Sequence, residues 1–176
     1  KTGRPYLPCP DTNGDGHENR AEPGGECEAS QGFFPWVDLG SAPNDAWGNR
    51  LRYVVESALA DRGQGFSTDT PLPAPPTSGW KQVASVNGCS TVDVAAGTPF
   101  VLISHGANGW GALNVSNATL AAPTSLDEQE NLGVDDGCYV SRTPGKPGDP
   151  AGEFDDLLTW LSFGGLVNRA CPAGCP

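Results

Sequence analysis

The sequence predicts a loop-rich, disulfide-stapled α+β domain with a sheet in its core. Three observations carry that expectation. Glycine and proline are abundant, 24 and 17 of 176 residues, and both interrupt regular elements. Six cysteines, an even number, point to disulfides made in an oxidising compartment. Between the turn-rich stretches lie short runs of β-branched and aromatic residues, which read as strands. The length suits one domain with its own core. It divides into an irregular opening over 1–30, a sheet-containing core over 31–170 and a tail over 171–176.

Taken in order, Gly32–Gly40 is apolar and aromatic and is expected to pack under the opening segment. Arg50–Val55 reads as a strand, with Leu51, Tyr53 and Val55 on one face. Ser57–Gly65 is ambiguous, and the proline-rich Pro71–Pro76 is a loop. Val83–Val86, Thr91–Val94 and Pro99–Ser104 read as further strands. Within the last, Phe100–Ile103 is continuously apolar, as in a central strand covered on both faces. His105–Gly111 is a glycine-rich turn. Residues 112–137 form a long polar loop with a helical turn over Asp127–Asn131, and Cys138–Ser141 is a short strand. Pro144–Pro150 is a turn. Phe154, Leu157, Leu158 and Leu161 sit at helical spacing, yet the same run suits a doubly buried strand; Ser162 would then cap a short helix through Arg169.

The most specific motif is Asp11–Glu22, which fits the calcium-loop pattern D-x-[DN]-x-[DN]-G-x5-E at every defined position. Asp11, Asn13 and Asp15 would supply side-chain oxygens and Gly16 the sharp turn. His17 would offer its carbonyl, Asn19 a direct or water-mediated ligand, and Glu22 a bidentate carboxylate. Calcium needs this many hard oxygens, so Ca2+ is the expected cofactor. The flanks are not those of an EF-hand. Pro5, Pro8 and Pro10 keep the preceding stretch out of a helix, Pro23-Gly24-Gly25 follows, and Glu18 stands where an apolar residue is usual. The loop is instead expected to be tied down by Cys9 and Cys27. Chain proximity and the strand positions suggest the pairs Cys9–Cys27, Cys89–Cys138 and Cys171–Cys175.

Other chemistry is weakly encoded. Ser104 and His105 are neighbours without a G-x-S-x-G elbow, so no hydrolase centre is expected. His105–Gly111 lacks the lysine and the glycine order of a phosphate loop. No C-x2-C pair suggests zinc. Acidic pairs at Asp127/Glu128, Asp135/Asp136 and Asp155/Asp156 read as solvated turns, with Asp127, Glu128, Asp135 and Asp136 forming a second candidate metal site. The sequons at Asn114 and Asn117 are taken as chance. A net charge of −11 disfavours nucleic acid or an anionic membrane as a partner of the whole surface.

Several stretches together resemble one family. Leu7-Pro8-Cys9-Pro10-Asp11, Cys27, Gly32, Phe34-Pro35-Trp36, Leu39-Gly40 and Asp45–Tyr53 resemble the head of a prepilin-type protein, a family that includes type IV minor pilins and type II secretion pseudopilins. Asp45-Ala46-Trp47-Gly48-Asn49 is similar to the D-P-W-G-N turn of the major pseudopilins, with alanine replacing proline. Leu102–Gly109 is similar to the I-x-S-H-G-x-N-G of these chains, and Asp127–Asn131 and Phe154–Ser162 follow in the same order. The family's cleavage site and apolar N-terminal helix are not in this sequence, which begins at Lys1 and contains no methionine. The chain is therefore expected to be a processed piece whose membrane segment lay upstream.

The resemblance implies a pilin-like α/β-roll, with an antiparallel sheet packed on the remnant of a long helix and Phe154–Ser162 as a strand. It implies assembly with other pilin or pseudopilin subunits into a filament, without catalysis. It places the protein at the inner membrane before assembly and in the periplasm or outside the cell afterwards. Family calcium sites lie late in the chain, corresponding to the 127–136 region here, so the Asp11–Glu22 loop would be an additional site. The alternative is a secreted calcium-dependent adhesin or ligand-binding module.

Overall fold

A computed structural model describes residues 3–21, 25–71 and 80–175. The strands are β1 (Gln31–Phe33), β2 (Arg52–Val55), β3 (Lys81–Ala84), β4 (Ala95–Thr98), β5 (Phe100–Ser104), β6 (Cys138–Val140) and β7 (Leu157–Trp160). The helices are α1 (Trp36–Leu39), α2 (Ser57–Ala60), α3 (Leu126–Leu132) and α4 (Phe163–Ala170). They form a loop-rich α+β fold with two sheets. One has four antiparallel strands in the order β1-β2-β5-β7. The other has the order β4-β3-β6, with β3 antiparallel to β4 and parallel to β6.

The four-stranded sheet is buried on both faces at its centre. Tyr53 and Val55 of β2 turn to one cluster with Leu7, Leu59, Phe66, Phe163, Leu166 and Val167; Phe100 and Leu102 of β5 pack against it. Val54, Val101 and Ile103, one residue out of step, turn the other way and meet Val83 and Tyr139 of the second sheet. This alternation is the pleat's period of two, and it explains why Phe100–Ile103 is apolar without interruption. The layers are thus a cover of loop, α2 and α4, then the larger sheet, then the smaller one.

The ambiguous run ending at Ser162 resolves as strand followed by helix. Leu158 and Trp160 pack on the second cluster, while Leu157 and Thr159 are exposed. β7 is therefore an edge strand with one wet face, not a doubly buried one. Ser162 caps α4, its Oγ accepting from Gly165 N at 3.2 Å, and Arg169 sits in the last turn.

Other expectations are corrected. Thr91–Val94 is not a strand: Asp93 accepts from Ser85 N and Ser85 Oγ at 2.8 and 2.6 Å, closing a turn that delays β4 to Ala95. The same contact ends β3 at Ala84, two residues before the expected Val86. The opening segment is not helical, as Pro5, Pro8 and Pro10 dictate, so among the described residues no long helix backs the sheet. Ser57–Gly65 contributes only the single turn α2. Residues 72–76 of the proline-rich loop lie outside the described residues.

The three disulfides are Cys9–Cys27, Cys89–Cys138 and Cys171–Cys175, the expected pairs. They assign the chain to an oxidising compartment outside the cytoplasm. No helix among the described residues is long and apolar enough to cross a membrane.

Ile103 is fully buried between the sheets, whereas Leu157 on the same sheet is 51% exposed. Ile103→Ala is expected to lower the unfolding free energy by about 2–5 kcal/mol, and Leu157→Ala by no more than about 0.5 kcal/mol, measured by urea denaturation.

Candidate functional site

Two regions concentrate polar chemistry. In the first, Asp11 pairs with Phe33 of β1 through Asp11 N to Phe33 O and Phe33 N to Asp11 O, at 2.9 and 2.7 Å. Its side chain is fully buried. Asp11 Oδ1 accepts from Asn13 N and Gly14 N, and Oδ2 from Gly16 N at 2.8 Å. Asn13 Oδ1 then accepts from Asp15 N, Asp15 Oδ1 from His17 N, and Asn19 Oδ1 from Thr12 N. Short acceptor side chains thus fold the backbone into successive tight turns. Gly16 is required: its φ is +89°, and a Cβ there would meet the Trp36 ring at 2.5 Å. The apolar Phe33–Val37 stretch lies under the loop as expected.

The donor set suits a hard cation. Asn13 Oδ1, Asn19 Oδ1 and Asp15 Oδ1 each accept one N–H and keep a lone pair, and Asp15 Oδ2 adds a further oxygen. Asp11 Oδ1 already accepts two N–H groups, which leaves Oδ2 as its available oxygen. Glu22, the expected bidentate ligand, lies outside the described residues. His17 directs its ring to Asp38 at 2.9 Å, and this hydrogen bond raises its pKa.

Glu18, the departure from the motif, ties the loop to the body. Oε2 accepts from Cys9 N and from Arg20 at 2.6 Å, and Oε1 pairs with Arg62. Burial pushes its carboxyl up, but Arg20, the Cys9 N–H and Arg62 outweigh that and hold it below the ordinary range. Arg20 in turn donates to Gly25 O, Ala60 O and Leu7 O.

The second region joins the turn after β5, helix α3 and the residues before β7. Carboxylate oxygens of Glu128, Asp155 and Asp156 lie within 4.8 Å of one another. Glu128 Oε1 accepts from Asn108 Nδ2 and Asp155 N, both at 3.1 Å, and Asp155 Oδ2 accepts from Asn108 N at 2.9 Å. Asn131 is fully buried. Its Nδ2 donates to Asp156 Oδ2 and Val140 O, and its Oδ1 accepts from Val140 N. His105, 2% exposed, points Nδ1 at Asp156 Oδ1 across 3.4 Å, an ion-pair distance without hydrogen-bond geometry. Gly106 makes room: a Cβ would sit 2.3 Å from Asp155 O, and its φ is +61°.

Asp45 extends the network. Its Oδ2 accepts from Ser104 Oγ at 2.6 Å and its Oδ1 from Trp47 N and Asn49 N, while Asn49 Nδ2 donates to Gly106 O. Ser104 and His105 therefore serve different partners and form no nucleophile–base pair. His105 does more than close a turn, although its carbonyl accepts from Gly109 N as a turn residue's would.

The second candidate metal set is not brought together. Asp127 pairs with Arg142 at 2.6 Å and accepts from Asn87; Asp135 pairs with Lys81 at 2.6 Å and accepts from Tyr139 OH; Asp136 accepts from Cys138 N. Each carboxylate is drawn to a different cation or amide, and only Glu128 joins a cluster. Asp155 and Asp156 take the places expected of the others. The signal for them was an acidic pair abutting a half-buried strand, where one of two adjacent side chains must turn inward. Two of these three carboxyls resist ionisation. Burial is the first cause at both Glu128 and Asp155, and the neighbouring charge of Asp156 adds to it. Such a cluster can hold a cation or share protons.

No family model matches this chain, and no curated protein and no solved structure matches it.

The raised carboxyls give a pH test. A folded-state pKa above the unfolded one means that the native state takes up the proton first, so the penalty is full at neutral pH and fades as pH falls through the raised value. In chelator, Glu128→Gln is expected to exceed wild type in stability at pH 7, with the gap closing toward pH ~4.5, the ordinary glutamate value, in urea unfolding at both pH values.

Proposed function

We propose that this chain is the globular head of a filament subunit of the prepilin type, a type IV minor pilin or type II secretion pseudopilin, stabilised by calcium. One observation carries the reading. The stretches with the strongest family resemblance, Asp45–Asn49, Leu102–Gly109, Asp127–Asn131 and Phe154–Ser162, are far apart in sequence yet meet in one hydrogen-bonded network. Their polar residues are spent on one another: Asp45 holds Ser104, Asn108 holds Glu128 and Asp155, and Asn131 holds Asp156. Motifs used this way specify a rigid head, as a structural subunit requires, rather than a reacting centre.

The disulfides fit the same reading, since a filament head works in the periplasm or outside the cell. Other pilin or pseudopilin subunits are its partners, with membrane attachment through an upstream helix. Calcium enters through the Asp11–Asn19 oxygens, where Asp15 and the Asn13 and Asn19 amides keep free lone pairs. The Glu128–Asp155–Asp156 cluster is the competing location.

Two measurements test the proposal. A ligand that binds only the folded state adds about 2.7 kcal/mol at a hundredfold excess over Kd, so calcium is expected to raise Tm by about 5–10 °C over chelator. Asp15→Asn should remove most of the gain if the Asx-rich loop holds the ion, and Asp155→Asn if the cluster does. Identical melting curves with and without calcium would reject the calcium assignment. For the filament assignment, the product of the complete gene is expected in sheared, purified surface or secretion filaments by immunoblot. Its absence from them, with the protein recovered free in the medium, would favour the secreted module.

A further inference from the structure

A cavity of about 420 Å³ opens beside β1 and the Asp11–Thr12 turn. Two arginines line it, Arg50 and Arg52, and among the described residues neither makes a direct ion pair, although the charge of Asp135 reaches Arg52. Four other cations are neutralised directly: Arg20 and Arg62 by Glu18, Lys81 by Asp135, Arg142 by Asp127. The guanidinium of Arg50 stacks over Trp36 at 5.6 Å and makes no side-chain hydrogen bond among the described residues; its Nη1 is buried without an acceptor. Arg52 Nη2 donates to Gln31 Oε1 at 2.9 Å and to Gly133 O, and its Nε is buried without an acceptor.

Both arginines are half-buried, and withdrawing a guanidinium from water without a directly paired counter-charge is costly. The acid at the cavity wall, Asp11, turns both carboxylate oxygens into its own loop, where Oδ1 accepts two backbone N–H groups and Oδ2 one. His105, also at the wall, directs Nδ1 to Asp156. The cavity is thus electropositive at the two arginines, while Phe33, Leu113 and Leu132 give it apolar walls.

We propose that this cavity binds a small organic carboxylate, its anionic end held by Arg50 and Arg52 and its apolar body against Phe33, Leu113 and Leu132. A planar guanidinium fork matches a carboxylate in two parallel hydrogen bonds. The volume falls in the range of small-molecule sites, and the apolar walls favour an organic anion over inorganic phosphate. The site is independent of the filament assignment.

The test is titration of the 15N-labelled whole chain, in calcium, with benzoate, its neutral isostere benzamide, and inorganic phosphate. Benzoate is expected to shift the amide signals of Gln31, Phe33 and Leu113 saturably, with benzamide and phosphate at least tenfold weaker. Arg50→Gln should weaken benzoate at least tenfold with at most a small fall in Tm, because that guanidinium makes no side-chain hydrogen bond and touches the protein through its stacking on Trp36, and Arg50→Lys should fall between. Thr119→Trp, at the exposed rim, should block binding without touching either arginine. The proposal is overturned if benzoate does not saturate, if benzamide matches it, if phosphate binds in its place, or if Arg50→Gln and Thr119→Trp bind benzoate as wild type does.

Discussion

Beside the apolar contact between the two sheets, a buried carboxamide ties them together at one end. Asn131 projects from α3, exchanges two hydrogen bonds with the backbone of Val140 in β6, and gives a third to Asp156, the residue before β7. β6 belongs to the smaller sheet and β7 to the larger, so one side chain fixes their separation and register at that end. An apolar residue there would leave a backbone N–H, a backbone carbonyl and a carboxylate without partners in a region closed to water, each costing about 1–3 kcal/mol. Asp156 in turn faces His105, Asp155 holds Asn108, and Glu128 grips both loops. The motifs are polar because their side chains hydrogen-bond one another and the backbone at this joint.

At the other end of the chain, covalent and ionic ties replace sheet contacts. The Cys9–Cys27 disulfide and the Glu18–Arg20–Arg62 group hold the Asx-rich loop against the cover of the first core cluster. Arg20 spreads its donors over three carbonyls from three segments, a task for a planar, permanently charged group. The loop is therefore positioned from outside while its own oxygens shape it from within. Such pre-organisation lowers the entropy cost of binding an ion.

Much of this was legible in the residues. Alternation in Arg50–Val55 and the unbroken apolar run of Phe100–Ile103 reported a sheet covered on both faces, because burial of both faces is the one way such runs escape water. The disulfide pairs followed from proximity. The failures have a common cause. Asp93 ends one strand and delays the next by binding Ser85, and Asp127 and Asp135 leave the expected metal set for Arg142 and Lys81. In each case a carboxylate's partner lies at a sequence distance that no local pattern carries. Arg50 and Arg52 were missed for the complementary reason: nothing in a strand pattern shows which cation will lack a partner.

Asn131 and Asp156 act as one joint between the sheets. A double-mutant cycle tests it most directly: Asn131→Ala and Asp156→Ala, singly and together, by urea unfolding in chelator at neutral pH. Coupled residues are expected to show an interaction energy of about 1 kcal/mol or more, the double variant losing clearly less than the two single losses combined. Losses that add to within about 0.3–0.5 kcal/mol would contradict the joint and the reading of the motifs built on it.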